Sequence, residues 1–419
     1  MYAVSLALTL SMATCGWGGA HGVMRRLAVQ SLPDWQQELL GEAGARLCTE
    51  YTSLQDQHAG GRRPDLDAYC VVPGVALSLH DVNAVPATIE GMRFYLTRVR
   101  ESVQVGEIDE AARYLGVLCH WLEDPSSPTM HCVEGFIDEA RLRELIPPPD
   151  DMRGRHYLYG YAGIGDNGRY EMPAGFAHTP VLLGRAIDEA ALHLQRRQRL
   201  NSRMARRSLV PLVWDEMHGD GAQAARIRGE LMAAQTRTTA DAIFSALCLA
   251  TDRLEGDTTH LDAAPLTDFV SNYRGGSTTM PYRWVPFLID AAFDQQRNVV
   301  PLALPGADGT MQFARGIGMG VPFALDWDFG PAGVMSRLTA TVGLSPQSVQ
   351  GASAVLAVLV NGEEAACVGP LVAGEPGREI DVPLPAEGLS VYLRLETRLA
   401  PDVPGEGCLA VWGEPTLHR

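Results

Sequence analysis

The apolar positions of this 419-residue chain change their period once. From Asp34 to about Leu254 they recur at three- and four-residue spacing, the repeat that gives a helix one apolar face. Trp35–Leu47, Ala87–Val103, Ile108–Leu122 and Pro180–Leu200 carry it, and Met217–Leu254 adds a long closing segment. Pro147–Pro149 and Gly160–Gly168 read as loops. Thr258–Thr279 is mixed in character, holds Gly275-Gly276-Ser277, and reads as a linker. Beyond it the period falls to two. Leu338, Ala340, Val342 and Leu344 alternate with polar or small residues, as do Ile380, Val382 and Leu384, and then Leu389, Val391, Leu393 and Leu395. Asn361-Gly362 is a hairpin signal, because both residues accept the positive φ that a type I′ turn requires. The pattern predicts an all-α domain over 17–257, a linker over 258–279 and an antiparallel β-sandwich over 280–419.

Charge narrows the function. The chain has no Lys, so its 34 basic residues are all Arg, against 50 acidic ones for a net charge of −16. A broad basic face for nucleic acid is therefore disfavoured, since phosphate neutralisation supplies most of such binding. A small site can still take a phosphodiester if metal ions supply the positive charge.

The one long apolar run, Tyr2–Ala13, is too short to span a bilayer, which needs roughly 20 residues. It reads as the core of a signal peptide over 1–16, with small residues Thr14–Gly16 before a cleavage ahead of Trp17. That predicts a secreted or periplasmic protein. The start lacks the usual basic residues, so a first helix of a soluble protein is the alternative. Eight cysteines stand at 15, 48, 70, 119, 132, 248, 367 and 408, none in a CxxC pair, which argues against a thiolate zinc site. Cys48 with Cys70, and Cys367 with Cys408, are possible bridges; buried free thiols are the other reading.

The sharpest local signal is Leu115-Gly116 followed by His120, Asp124, Pro125 and His131. His120 and Asp124 are four apart and share a helix face, with Gly116 one turn earlier leaving room there. Pro125 ends the helix, and the loop returns a second His at 131. Imidazole and carboxylate are the ligands zinc prefers outside thiolate sites. Six of the eleven histidines (21, 58, 80, 120, 131 and 156) lie between 21 and 156.

Trp17 with His21, the Leu32-Pro33 helix entry, Asp56, His80 and the segment from Leu115 to His131 together resemble the zinc-dependent phospholipase C family. That family shares its all-α fold with the fungal single-strand nucleases. The resemblance covers roughly residues 17–255 and implies one to three zinc ions in a cleft where a metal-activated water cleaves phosphodiesters. It implies Asp56, His80, His120 and Asp124 at a first zinc, with Asp56 also orienting or deprotonating the water. A third zinc would take Asp124, His21 and the amino group and carbonyl of Trp17. His131 would begin the second site, which the family completes with a His and an acid four residues on. No such pair follows 131 here; His178 is the best candidate, while Glu189 and His193 share a face in the reverse order, which more often marks a surface pair.

Pro281–Phe287, Gly316–Gly320, Leu338–Leu344, Val358–Gly362 and Val411–Leu417 resemble the NPCBM carbohydrate-binding-module family, a jelly-roll sandwich. The resemblance implies a glycan ligand, with Trp412 read as a core residue rather than a sugar platform. The combined expectation is a secreted zinc hydrolase of phospholipid headgroups or other phosphodiesters, with peripheral membrane contact and an accessory glycan module. The alternatives are a single-strand nuclease of the same fold, with Trp121 and Tyr157–Tyr161 as base clamps, or a surface-binding protein with one structural zinc.

Overall fold

The computed structural model describes residues 17–58, 61–75, 82–128, 132, 144–147, 149–150, 171–254, 256–273, 287–401 and 407–419. The chain divides into two compact units, Met1–Thr258 and Thr259–Arg419, close to where the apolar period changes. His80, His131 and the aromatic run Tyr157–Tyr161 lie outside the described residues, as does the apolar start.

The first unit holds α1 (Ala20–Gln30), α2 (Asp34–Leu47), α3 (Leu54–His58), α4 (Asp67–Cys70), α5 (Ala87–Gln104), α6 (Ile108–Glu123), α7 (Ile187–His218) and α8 (Ala222–Thr251). Every residue of α6 from Tyr114 to Glu123 is buried, so this helix is enclosed on all sides rather than on one face. Any polar side chain on it must find its partner inside the protein. Trp17 and Met24 pack with Leu209, Leu212 and Val213 of α7 and with Ile227, Leu231 and Met232 of α8. Each such side chain contributes about 1.5–3 kcal/mol when fully buried.

The space expected at Gly116 is taken by the chain itself. A Cβ there would meet the backbone oxygen and Cβ of Tyr51 at 2.7 Å, so the glycine admits the close approach of the Glu50–Thr52 turn to α6. The helix expected from Pro180 begins only at Ile187. Before it, Asp241 Oδ1 accepts from His178 Nε2 at 2.7 Å and from the Val181 amide at 2.9 Å. Ser245 Oγ accepts from the Leu183 amide at 2.9 Å. Side chains of α8 thus satisfy backbone groups that a helix would have paired internally, which stabilises the irregular path.

The second unit holds β1 (Ala263–Pro265), β2 (Asn272–Tyr273), β3 (Phe287–Ile289), β4 (Ala292–Phe293), β5 (Val299–Val300), β6 (Leu302–Gly306), β7 (Gly309–Phe313) and β8 (Gly316–Gly320). There follow β9 (Phe323–Asp328), β10 (Arg337–Leu344), β11 (Ser353–Val360), β12 (Glu363–Val372), β13 (Arg378–Pro383), β14 (Tyr392–Leu399) and β15 (Leu409–His418). One sheet runs β13-β10-β15-β8-β3 with β1 added beside β15; the other runs β12-β11-β14-β9-β2. All pairings are antiparallel, and the domain is a β-sandwich.

Alternation places side chains as the period of two predicts. Leu338, Ala340 and Val342 of β10 face inward, with Trp412 of β15 and Trp327 of β9 fully enclosed. Asn361 and Gly362 adopt φ of 52° and 87° between β11 and β12, the expected hairpin turn. Leu389 departs from the pattern, at 97% exposed, because β14 starts only at Tyr392 and Leu389 sits in the bend before it. The linker expectation is corrected for its described part. Ala263–Pro265 pairs with β15 and Asn272–Tyr273 with β9, so the stretch belongs to the sandwich. No disulfide joins Cys48 to Cys70 or Cys367 to Cys408, which corrects the two possible bridges.

Candidate metal centre

Two helices build the site. α1 presents His21 and Arg25 one turn apart, and the end of α6 presents His120, Glu123 and Asp124. His120 and Asp124 come together as their four-residue spacing predicts, with Nε2 3.2 Å from Oδ2. His21 arrives from the other helix with Nε2 3.1 Å from Asp124 Oδ1. Asp56, on α3, adds an oxygen 3.5 Å from His120 Nε2 and is the solvent-facing member, its side chain 36% exposed. His21, His120 and Asp124 offer three ligand atoms within 4.8 Å of one another, all three residues buried.

The ring nitrogens facing away from this point fix its chemistry. His120 Nδ1 donates to the Thr52 carbonyl at 3.0 Å, an oxygen that can only accept. His21 Nδ1 lies 2.6 Å from Glu123 Oε2, and an ionised carboxylate also only accepts. Both rings therefore carry their fixed proton on Nδ1 and turn Nε2 toward Asp124. Two imidazole nitrogens and a carboxylate converging in a buried pocket match the donor set of zinc.

Glu123 is the residue that sequence reasoning missed. Its carboxylate is enclosed, yet it meets His21, the Arg25 Nη2 at 3.0 Å and the Thr239 hydroxyl at 3.1 Å. Burial opposes its charge, but Arg25 and then His21 outweigh that and hold its pKa below the usual carboxylate range. Arg25 in turn donates to the Tyr51 carbonyl at 3.0 Å, tying the Glu50–Thr52 turn to α1. The available signal was the four-residue spacing of His21 and Arg25 on one helix face.

Charge at the centre is balanced in the same way. Burial resists the charged form of Asp124, but His120 and His21 hold it well below the ordinary range. Burial also resists protonation of His120, and Asp124 with Asp56 overcomes that to hold it well above the ordinary imidazole range. His21 is raised against burial by Asp124 and Glu123. The pocket thus demands a cation at Nε2, whether a proton or a metal ion.

Trp17 anchors beside the site. Its indole donates to the Glu123 carbonyl at 2.9 Å and to Ser126 Oγ at 3.1 Å, and the residue is wholly buried. His178 does not join the group, because its Nε2 is held by Asp241 at 2.7 Å. Glu189 and His193 are not the surface pair expected, being 8% and 1% exposed. Glu189 accepts from the Arg185 amide at 2.7 Å near the start of α7. His58 pairs with Asp67 at 2.7 Å.

Comparison with known proteins bears chiefly on the second unit. The model of the NPCBM/NEW2 domain matches residues 270–418. This places an NPCBM-like module at the C-terminal end of the chain, on the residues that fold as the sandwich. No curated protein matches the chain. Among solved structures, the CBM51 of a Clostridium perfringens protein in complex with methyl-galactose is 16% identical, covering 37% of this chain and 99% of that one at a TM-score of 0.31. The tandem CBM51 modules of a Streptococcus pneumoniae family 98 glycoside hydrolase are 14% identical over 38% of this chain and 47% of that one, TM-score 0.32. The alpha-toxin of Clostridium perfringens is 10% identical over 88% of this chain and 83% of that one, TM-score 0.33.

Proposed function

We propose that the α domain is a zinc-dependent phosphodiester hydrolase of phospholipase C type, exported from the cell and carrying a glycan-binding module. The observation behind the reading is the enclosed convergence of His21 Nε2, His120 Nε2 and Asp124 on one point. Zinc held there supplies Lewis-acid polarisation of a phosphoryl oxygen and of a water. The chain's own residues do the rest. Thr52 and Glu123 hold the two rings in the ligating tautomer. Asp56, half-buried at the rim, is placed to take a proton from a water entering from solvent. The enclosed wall of α6 excludes bulk water and strengthens every charge inside it.

Lipid is favoured over nucleic acid because the chain's net charge of −16 opposes a polyanion. For the sandwich, the family match supports a glycan ligand, and the bound methyl-galactose of the clostridial module suggests a galactose-type sugar. The test is hydrolysis of bis(p-nitrophenyl) phosphate and of phosphatidylcholine by the zinc-loaded chain. Turnover of either that disappears in His120→Ala supports the reading. No turnover of any phosphodiester by a chain that binds zinc leaves a structural metal and a binding protein.

A further inference from the structure

The outer face of the β13-β10-β15 sheet is covered over one part and open over the rest. Three glycines seat the cover. A Cβ on Gly343 would stand 3.0 Å from the Leu304 side chain, one on Gly377 2.8 Å from the same side chain, and one on Gly413 2.8 Å from the Phe313 ring. They admit the β6–β7 hairpin, whose Leu302 and Leu304 are wholly buried with Val411. Side chains alternate between the faces of a strand, so Thr339 and Thr341 share this outer face with Gly343, while Leu338, Ala340 and Val342 fill the core.

The open part is a pocket of about 400 Å³. Asp381, Thr339 and Thr416 lie side by side across it, and Glu379, Thr341 and Gly413 form the next row. His418 also lines it, with Nε2 2.9 Å from Thr339 Oγ1. On β15, Glu414 and Pro415 stand opposite the single Ala340, a bulge that bends the strand. Glu414 takes a φ of 47° there, a conformation unfavourable for a residue with a Cβ. Bulges and such residues recur where a strand re-aims a side chain toward a ligand.

The chemistry of the lining selects the ligand. Threonine hydroxyls both donate and accept, and a carboxylate accepts from two hydroxyls at once. Burial and then Arg337 hold the His418 pKa below the ordinary imidazole range, so the ring is a neutral hydrogen-bonding group. Asp381 is paired with Arg337 at 3.1 Å, whereas among the described residues Glu379 and Glu414 have no cationic partner. Neighbouring hydroxyls of a sugar ring suit this mixture, and an anionic ligand would be repelled.

We propose that this pocket is the sugar-binding site of the sandwich and takes an uncharged hexose. Thr339, Thr341, Thr416 and His418 bond its hydroxyls, and Glu379 and Glu414 exclude acidic sugars. These groups stand on paired strands, so they are in place before the ligand arrives. The site's identity as a sugar site rests on the glycan reading of this domain; its shape and polarity do not.

The test titrates the full chain by calorimetry with methyl galactoside and methyl glucoside, and with their acidic counterparts galacturonate and glucuronate. At least one uncharged sugar is expected to bind, and its acidic counterpart about tenfold more weakly or not at all. Thr339→Val and Thr341→Val keep the shape and the strand preference, and each is expected to weaken binding about tenfold by leaving sugar hydroxyls unpaired. Glu379→Gln is expected to strengthen the acidic sugar relative to the uncharged one. Glu364→Gln, on β12 of the other sheet, is expected to change neither. Wild-type affinity in both folded threonine variants would overturn the pocket and leave the glycan reading standing, with its site elsewhere on the domain. Binding of none of the four sugars by the wild type would remove the pocket and the glycan reading together. An acidic sugar bound as tightly as its uncharged counterpart would overturn the assigned selectivity.

Discussion

His21 and His120 stack with ring centroids 4.7 Å apart and planes 18° from parallel, each turning Nε2 to a different oxygen of Asp124. Two protonated rings in that stack repel each other, so one shared cation suits the geometry better than two protons. Because Asp124 and the neighbouring carboxylates hold both pKa values above the free imidazole value of about 6.5, the metal-free site binds protons more tightly than free imidazole does. Zinc must displace them. Zinc titrations at pH 7 in buffers of different ionisation heat are expected to show net proton release. Binding without proton release would contradict the arrangement.

The same shifts set the pH dependence of the metal-free chain. A histidine whose folded pKa is raised contributes stability that is fully present below about pH 6.5 and is lost as pH rises through the folded value. The EDTA-treated chain should therefore become less stable as pH climbs above 7, while the zinc-loaded chain should not. Urea midpoints at pH 6 and pH 9, with and without zinc, measure the difference. Equal losses in both forms would place the pH dependence elsewhere.

Glu123 positions a ligand rather than donating one. Glu123→Gln keeps the shape but removes the negative charge, leaving only a neutral amide oxygen to accept the His21 Nδ1 proton. Zinc affinity is expected to fall about 10–100-fold, the usual cost of losing such a partner. Competition with a chelator of known affinity reads this directly. An unchanged affinity would mean that His21 needs no orienting carboxylate.

Arg25 is the structural counterpart. Removing it in Arg25→Ala leaves Glu123 buried against a single weaker cation, which costs about 3–5 kcal/mol for an enclosed pair. Denaturant unfolding should show the loss in the α domain, whereas the sandwich transition stays fixed.

Trp412→Ala probes the sandwich independently. The indole is fully enclosed and donates toward Met319 Sδ at 3.0 Å, so it packs the core and faces no ligand. Its truncation is expected to cost about 3–5 kcal/mol in the second unit and to leave zinc content unchanged.

The sequence showed most where periodicity runs long. The helices from Ala87 to Glu123 and the alternation along β10 and β14 repeat their pattern often enough to be read. β1 and β2, at three and two residues, hold no full period, and their role in the sheets is fixed only by pairing with β15 and β9. Within the site, His120 and Asp124 declare themselves by their spacing on one helix. The Arg25–Glu123–His21 group joins residues about a hundred positions apart, and its one local trace, His21 and Arg25 four apart on α1, does not point to Glu123. Pro180–Ala186 misleads because Asp241 and Ser245, distant in sequence, satisfy its backbone.

Metal content tests the central claim most directly. The full chain, purified, loaded with zinc and dialysed, is measured by inductively coupled plasma mass spectrometry beside His120→Ala and Asp124→Asn. At least one tightly held zinc per chain, lost in both variants while their circular dichroism stays unchanged, is the predicted result. A folded wild-type chain that retains no zinc, or variants that retain as much as the wild type, would contradict it.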